Sequence, residues 1–315
     1  MQILTMTMNP SIDKSSAVDR VVADRKLRCR EPSFEPGGGG INVSRVIKIL
    51  AGESTALYPA GGASGDHIQK LLNDRDITQK VIRIEGWTRE NLMVIEESDG
   101  RQYRFGMPGP ALSREEWTRC LESLFEFEAQ PEYLVASGSL PAGVPESFYA
   151  DIARRCRENN TRLVVDTSGE ALRHAVREGV FLIKPNMREL RMLARGDIES
   201  EGEQEDFVRS IIGKGQSRYV VVSLGAGGVL AASGDSLERL RAPSVRIVSK
   251  VGAGDSTVAG IVLGLSQGKP FREAVKLGMA AGSAAVMTSG SQLCRREDVF
   301  NLYDCLSETP RAPRA

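Results

Sequence analysis

Short apolar runs alternate with longer amphipathic stretches along most of this chain. Runs near 2–8, 54–60, 132–137, 161–166, 180–184 and 218–224 are brief and rich in Val, Ile and Leu, which predicts strands. Apolar residues at three- and four-residue spacing predict helices over 41–51, 64–75, 113–127, 146–158 and 187–195. Strands alternating with helices of this length imply an α/β fold with a mainly parallel sheet covered on both faces. In such sheets ligands sit beyond the carboxyl ends of the strands, so the informative side chains belong just after the apolar runs.

Two stretches break the alternation. Residues 12–35 are polar and lack a long helical pattern, and 86–107 read as a hairpin. Asp99-Gly100, flanked by Asn91–Glu96 and Arg101–Phe105, is a strong hairpin signal. Together these stretches predict a small sheet attached to the main unit, either a lid that excludes water or an edge-covering, dimerising sheet. A chain of 315 residues accommodates one large α/β domain with such an appendage, or two domains. The reading adopted is one domain over 1–315 with a discontinuous lid from about 12–35 and 86–107. The tail from Glu308 to Ala315 is expected to fray.

Composition narrows the function. Lys+Arg and Asp+Glu both total 41, so the formal net charge is zero and no basic excess exists to draw nucleic acid or a membrane surface. No run of about 18 apolar residues appears. Met1–Met8 has neither a basic segment nor a cleavage site and reads as a first strand, not a signal peptide. The five cysteines, Cys29, Cys120, Cys156, Cys294 and Cys305, are scattered without CxxC spacing, which argues against disulfides and structural zinc and for a reducing cytoplasm. His67 and His174 stand far apart on predicted helices, so acid–base chemistry falls to carboxylates or lysines.

Four segments carry candidate chemistry. In Val251-Gly252-Ala253-Gly254-Asp255-Ser256, glycines ahead of a helix let backbone N–H groups converge on an anion. A carboxylate at the mouth of that hole repels phosphate, so Asp255 suits a base that deprotonates an attacking hydroxyl; the plainer alternative is a helix cap. In Glu35-Pro36-Gly37-Gly38-Gly39-Gly40-Ile41-Asn42, four glycines open a helix and Asn42 can both donate to and accept from sugar hydroxyls. That run is neither GxGxxG nor a Walker loop, and a structural turn is its alternative. In Lys184-Pro185-Asn186-Met187-Arg188-Glu189, Asn186 and Glu189 share a helix face suited to Mg²⁺ through water, or form an ordinary capping box. Val220–Gly228 is a strand entering a glycine turn that forms a hairpin with Val229–Ala231 and is placed to floor a nucleotide site.

These motifs, in this order and spacing, resemble the ribokinase/PfkB family of carbohydrate kinases across essentially the whole chain, from Thr7–Asp13 to Leu293-Cys294. The resemblance implies a ribokinase-like three-layer sandwich with a small β-sheet lid. Phe34–Val43, Trp87-Thr88-Arg89, Tyr103-Arg104-Phe105 and Ser137–Pro141 resemble the branch that phosphorylates fructose 6-phosphate with ATP; 1-phosphofructokinases and tagatose-6-phosphate kinases typically carry a lysine within the glycine run. Carried across, the resemblance makes Asp255 the base, with Gly252, Ala253 and Gly254 as the anion hole. Asp13, Asn42, Gly38 and Gly39 would hold the sugar, and Lys26, Arg89, Arg104 and Ser139 its phosphate. Lys184, Asn186, Ser223 and Gly225 would flank ATP, with Glu189 organising Mg²⁺ through water. Ser249, Val251, Ala285, Thr288 and Gly290 would hold K⁺. Arg188 stands where this branch has lysine; the charge is kept and the geometry is not. A homodimer through the lid is the implied assembly. The rival readings are a 1-phosphofructokinase or tagatose-6-phosphate kinase, a non-catalytic sugar-phosphate sensor and, weakest, a dinucleotide oxidoreductase.

Overall fold

Which face a strand residue packs on is set by its parity, and that alternation builds both layers of this molecule. The computed structural model describes residues 2–289 and 292–308. Its strands are β1 (Ile3–Met6), β2 (Ser11–Val18), β3 (Ser33–Gly37), β4 (Thr55–Ala60), β5 (Thr78–Arg83), β6 (Arg89–Glu96) and β7 (Gln102–Phe105). They continue with β8 (Tyr133–Ser137), β9 (Arg162–Asp166), β10 (Val180–Ile183), β11 (Ser217–Ser223), β12 (Val229–Ala232) and β13 (Leu237–Leu240). The helices are α1 (Gly39–Ile49), α2 (Gly62–Asn73), α3 (Arg114–Ser123), α4 (Phe148–Glu158) and α5 (Gly169–Glu178). After them come α6 (Met187–Ala194), α7 (Glu201–Gly213), α8 (Ala253–Ser266), α9 (Phe271–Val286) and α10 (Arg296–Glu308).

Nine strands form the main sheet in the order β13-β12-β11-β10-β9-β8-β1-β4-β5. It is parallel from β11 to β5, and β12 and β13 run antiparallel at one edge. All six runs read as strands and all five read as helices are present, with ends shifted by a few residues. The pattern left β5 unassigned because it is an edge strand in which only Ile82 is buried, so no apolar run marks it. From β8 to β11, Leu134, Ala136, Leu163, Val165, Val220 and Val222 face a core shared with α3, α4, α5 and α7. Their neighbours Tyr133, Val135, Val164, Leu182 and Val221 face the opposite core, shared with α1, α8, α9 and α10. Two apolar faces explain why these strands read as continuous runs.

From β1 the chain steps outward to β4 and β5, then returns to the other side of β1 and runs outward through β8, β9, β10 and β11. The order therefore reverses between β1 and β8. A crevice opens at such a switch point, at the carboxyl ends of the strands.

The two irregular stretches do combine into one small sheet, ordered β3-β2-β6-β7. Its β6–β7 pair is the antiparallel hairpin expected around Asp99-Gly100, where Gly100 has φ 75°. Helix α2 and the start of α1 anchor it through Ile12, Ile41, Tyr58, Ile68 and Leu72. His67 lies on α2 against Phe34, and Cys29, Cys120, Cys156 and Cys294 are free thiols. Of the tail expected to fray, residues 309–315 lie outside the described residues. Among the described residues no helix is long and apolar enough to cross a membrane.

Helix α8 carries Asp255 at its first turn and is held by a close crossing with α9. A Cβ on Gly260 would sit 2.7 Å from Gly278 Cα, and one on Gly278 would sit 2.6 Å from Thr257 O. Backbone meets backbone there, so neither helix can yield locally. Gly278→Ala is expected to cost about 1–3 kcal/mol by overpacking, whereas Gly234→Ala, with nothing within 4 Å of the added methyl, should be nearly neutral. Urea unfolding of the two variants checks this.

Candidate active site

The glycine run lays the start of α1 across the ends of β1 and β8. Gly38 takes φ 112° as the residue before α1, a Cβ on Gly39 would overlap Ser137 Oγ, and one on Gly40 would lie 2.8 Å from the Met6 carbonyl carbon. The structural reading of the run is therefore correct, and no side chain of the N-cap residue Gly38 covers the start of α1. Thr7 Oγ1 accepts from the Ile41 N–H at 2.8 Å. One turn in, Asn42 faces the crevice.

Helix α8 starts in the same way. Gly252 is left-handed at φ 73°, no side chain caps the helix, and Asp255 lies in the first turn. Its Oδ2 accepts from Asn42 Nδ2 at 2.9 Å, so residues 213 positions apart meet over the switch point. Lys184, buried just after β10, reaches Asp166 Oδ1 at 3.2 Å. A Cβ on Gly254 would be 3.4 Å from Lys184 Nζ, so the ammonium lies close against the start of α8.

These neighbours set the protonation. Burial pushes the Asp255 carboxyl up to about 7, the Asp166 carboxylate adds to that, and the Asn42 hydrogen bond and Lys184 charge pull the other way. For Lys184, burial alone would lower the ammonium, but Asp166, then Glu189 and Asp255, leave it raised. The site thus pairs a firmly charged ammonium with a carboxyl poised near neutrality, the usual condition of a general base. Sequence reasoning missed Asp166. Its signal was present: Leu163-Val164-Val165 runs straight into Asp166-Thr167-Ser168-Gly169, a charged residue closing a buried strand.

On the other side of Lys184, Asn186 and Glu189 form the reciprocal capping box of α6, with both bonds at 2.9 Å. Ser223 N–H donates to Pro185 O at 2.9 Å, which ties the ends of β10 and β11 together. The β11–β12 hairpin is present, and Gly225 opens its turn at φ 62°. Burial raises the Glu189 carboxyl despite its bond from Asn186. Arg188 is exposed. Among the described residues no cluster of three His, Cys, Asp or Glu could hold a metal alone. That donor set fits a hydrated Mg²⁺ carried mostly by phosphate oxygens, not a protein cage.

Between the small sheet and the start of α8 lies a cavity of about 250 Å³, lined by Asp13, Asn91, Met93, Arg104, Phe105 and Val251 among others. Asp13 Oδ1 accepts from Ser11 Oγ and Asn91 Nδ2, each at 2.8 Å. Arg89 donates to Asn9 O at 2.9 Å and Met107 O at 3.2 Å, and Asn9 Nδ2 donates to Ser139 Oγ at 3.2 Å. Arg89 Nε and Asn9 Oδ1 are buried without a partner, and among the described residues Arg89 forms no ion pair. An unpaired guanidinium in such a place fits an anion. Arg104 is opposite Met93 on β6, four residues from Arg89 and so ~13 Å along the strand. Lys26 is on the exposed 19–32 loop and does not line the cavity.

The residues assigned to K⁺ gather where the 247–251 loop meets the end of α9. Val248 and Ser249 N–H groups both donate to Val286 O, at 2.7 and 3.2 Å. Buried Thr288 Oγ1 lies 2.9 Å from Ala285 O and 2.6 Å from Gln292 O. Oxygens at the negative end of a helix suit a monovalent cation; Gly290 lies outside the described residues.

The sequence profile of the pfkB family carbohydrate kinases matches residues 6–298. The chain belongs to this family. It is 43% identical over 307 residues to the ATP-dependent 6-phosphofructokinase isozyme 2 of Mycobacterium tuberculosis (strain ATCC 25618 / H37Rv), covering 98% of this chain and 90% of that protein. The crystal structure of phosphofructokinase-2 from Escherichia coli in complex with fructose-6-phosphate superposes with TM-score 0.92 at 39% identity, covering 98% and 99% of the two chains. The same protein's complex with potassium gives TM-score 0.94 at 40% identity, over 98% and 99%. The pfkB resemblance and the ribokinase-like α/β sandwich with a second small sheet are both borne out.

The raised Asp255 carboxyl gives a stability test. A folded-state value near 7 exceeds the ordinary carboxylate value, so ionised Asp255 costs stability above pH 7, and the cost fades as pH falls toward 4. Asp255→Asn should raise Tm by a few degrees at pH 8 and change it little near pH 4, measured by calorimetry.

Proposed function

We propose that this chain is an ATP-dependent 6-phosphofructokinase that transfers the γ-phosphoryl of MgATP to the 1-hydroxyl of fructose 6-phosphate, giving fructose 1,6-bisphosphate and ADP. The observation that carries the chemistry is the Asp255 carboxyl, raised to about 7 at the uncapped start of α8, between the Asp13 cavity and the Lys184–Asn186 side. The half-buried Arg89, whose Nε has no partner and which is linked to Ser139 through Asn9, supports a sugar that already carries a phosphate.

In this reading the sugar lies against Asp13 and Asn42, with Gly38 and Gly39 letting it approach the backbone. Its 6-phosphate meets Arg89 and Ser139, with Arg104 and Lys26 supplying positive charge from the small sheet and its loop. Asp255 accepts the proton of the 1-hydroxyl as that oxygen bonds to the γ-phosphorus and the bond to ADP breaks. The N–H groups of Gly252, Ala253 and Gly254 and the Lys184 ammonium face the charge on the transferring group. Asn186, Ser223 and Gly225 line the nucleotide side. Mg²⁺ near Glu189 supplies charge neutralisation on the phosphates. K⁺ at Ser249, Val251, Ala285, Thr288 and Gly290 would brace the loop before α8.

The small sheet acts as the lid of a single kinase domain and pairs with a second copy. Leu92, Met93, Val94 and Ile95 of β6 are only partly buried, and Phe105 and Met107 are exposed at 49% and 45%. By strand alternation Leu92 and Val94 share one face of the small sheet and Met93 and Ile95 the other, and apolar side chains left part-exposed in this way suit burial against a partner. Free thiols at Cys29, Cys120, Cys156 and Cys294 fit a cytoplasmic enzyme.

Turnover is measured side by side on fructose 6-phosphate, fructose 1-phosphate and tagatose 6-phosphate. Fructose 6-phosphate should be preferred, and a tenfold preference for either other sugar would overturn the substrate. Asp255→Asn should lower kcat by roughly 100-fold or more while fructose 6-phosphate still binds; a variant within about threefold of wild type removes Asp255 from the mechanism.

Arg89→Ala should raise KM for fructose 6-phosphate by roughly 10- to 150-fold, the worth of a charge-assisted hydrogen bond, and leave KM for ATP nearly unchanged. Arg104→Ala, farther along the strand, should cost less. Equal losses from Arg89→Ala on fructose and on fructose 6-phosphate would mean that the residue acts through lid structure.

A further inference from the structure

A carboxamide has a donor end and an acceptor end of nearly the same shape, so its usefulness to a catalytic carboxylate depends on which end is presented. Asn42 presents Nδ2 to Asp255 Oδ2 at 2.9 Å. Turned over, it would set Oδ1 against the carboxylate, two acceptors face to face. One turn along α1, Arg45 Nη1 donates to Asn42 Oδ1 at 3.2 Å. A guanidinium has only donors, so it can hold only the oxygen end.

Arg45 is itself fixed. It is 7% exposed, its Nη1 also donates to Pro36 O at 2.7 Å, and its Nη2 pairs with Glu35. Glu35 is braced in turn by Arg75 at 2.9 Å. Burial lowers the Arg45 guanidinium to about 10, with Glu35 opposing that, so it stays charged at neutral pH. The line Arg75–Glu35–Arg45–Asn42–Asp255 runs from the foot of the small sheet to the reacting group.

We infer that Arg45 is a positioning residue for phosphoryl transfer: by holding Asn42 Oδ1 it keeps Asn42 Nδ2 aimed at Asp255. This rests on the reading of Asp255 as the base. The groups facing Asp255 are Asn42 and, behind it, Arg45 from α1, Asp13 from β2, Asp166 at the end of β9, and Lys184 after β10, which also faces Glu189 on α6. Arg45 alone among them acts on the orientation of a neutral donor. Its loss therefore frees the amide, removes the fixed hydrogen bond and lets Asp255 hold its proton to higher pH.

The test follows kcat/KM across pH for the whole enzyme with MgATP and fructose 6-phosphate. Arg45→Lys keeps the charge but cannot hold Pro36 O, Asn42 Oδ1 and Glu35 together. Its acid limb should move up by roughly one pH unit, the scale of one hydrogen bond to a charged group. Asn42→Ala should move the limb similarly, and the double variant no further than Asn42→Ala alone. Should Arg45→Lys fail to fold, Glu35→Gln loosens the same guanidinium and is read in the same way. A limb coincident with wild type, or shifts that add in the double variant, overturns the role. If Asp255→Asn abolishes the acid limb and Arg45→Lys leaves it in place, only the Arg45 role falls. If Asp255→Asn retains the limb, the base assignment fails and the Arg45 role fails with it.

Discussion

The crevice is organised by a charge imbalance around one buried ammonium. Lys184 is in contact with Asp166 and within the field of Glu189 and Asp255, so a single positive charge faces three carboxyls. It cannot satisfy all of them. Asp166 takes the ion pair, and Asp255, buried and left with a neutral amide donor, is the group whose proton becomes available near neutrality. The division of labour between two aspartates follows from which one the lysine reaches. Positive potential in so acidic a place comes from backbone amides at the starts of α1 and α8, where Thr7 Oγ1 takes the Ile41 N–H and neither N-cap residue supplies a side chain.

That arrangement demands close approach. Gly38, Gly39 and Gly40 bring α1 onto the ends of β1 and β8, and the Gly260–Gly278 crossing seats α8 against α9. The glycines therefore serve two purposes that need not compete: they allow the backbone to pack, and they leave the amides bare. The capping box at Asn186 and Glu189 is similar, since the bonds that start α6 also hold both side chains just after Lys184 at the end of β10. In each case the bland structural reading of a motif and its functional reading describe the same atoms.

The small sheet couples to the same crevice from the other side. Asp13 on β2 and Asn91 on β6 are paired across the sheet, and β3 feeds directly into the glycine run. The Asp13 side of the cavity and the start of α1 are therefore joined through the β2–β3 pair. Arg89 sits at the end of β6 nearest the main body, whereas Arg104 and the 19–32 loop are farther out, so the basic residues are graded by distance from the reacting centre.

Much of this was legible in the chain. Buried parallel strands need apolar side chains on both faces, so β1, β4, β8, β9, β10 and β11 announced themselves as runs, and glycines before Asn42 and Asp255 marked two bare helix starts. Edge strand β5 did not, because one open face removes the apolar signal. Asp166 was overlooked because a lone aspartate at the end of a strand has no spacing that distinguishes it; only its 3.2 Å approach to Lys184 gives it a role. Arg45 received no role from the sequence, and only packing under β3 buries it against Glu35 and aims it at Asn42. The local chain determined which segments are strands, helices and bare turns, since those depend on neighbours in sequence. The protonation of Asp255 and the orientation of Asn42 were decided by tertiary structure, because each depends on charges and donors brought from distant segments to within 3.2 Å.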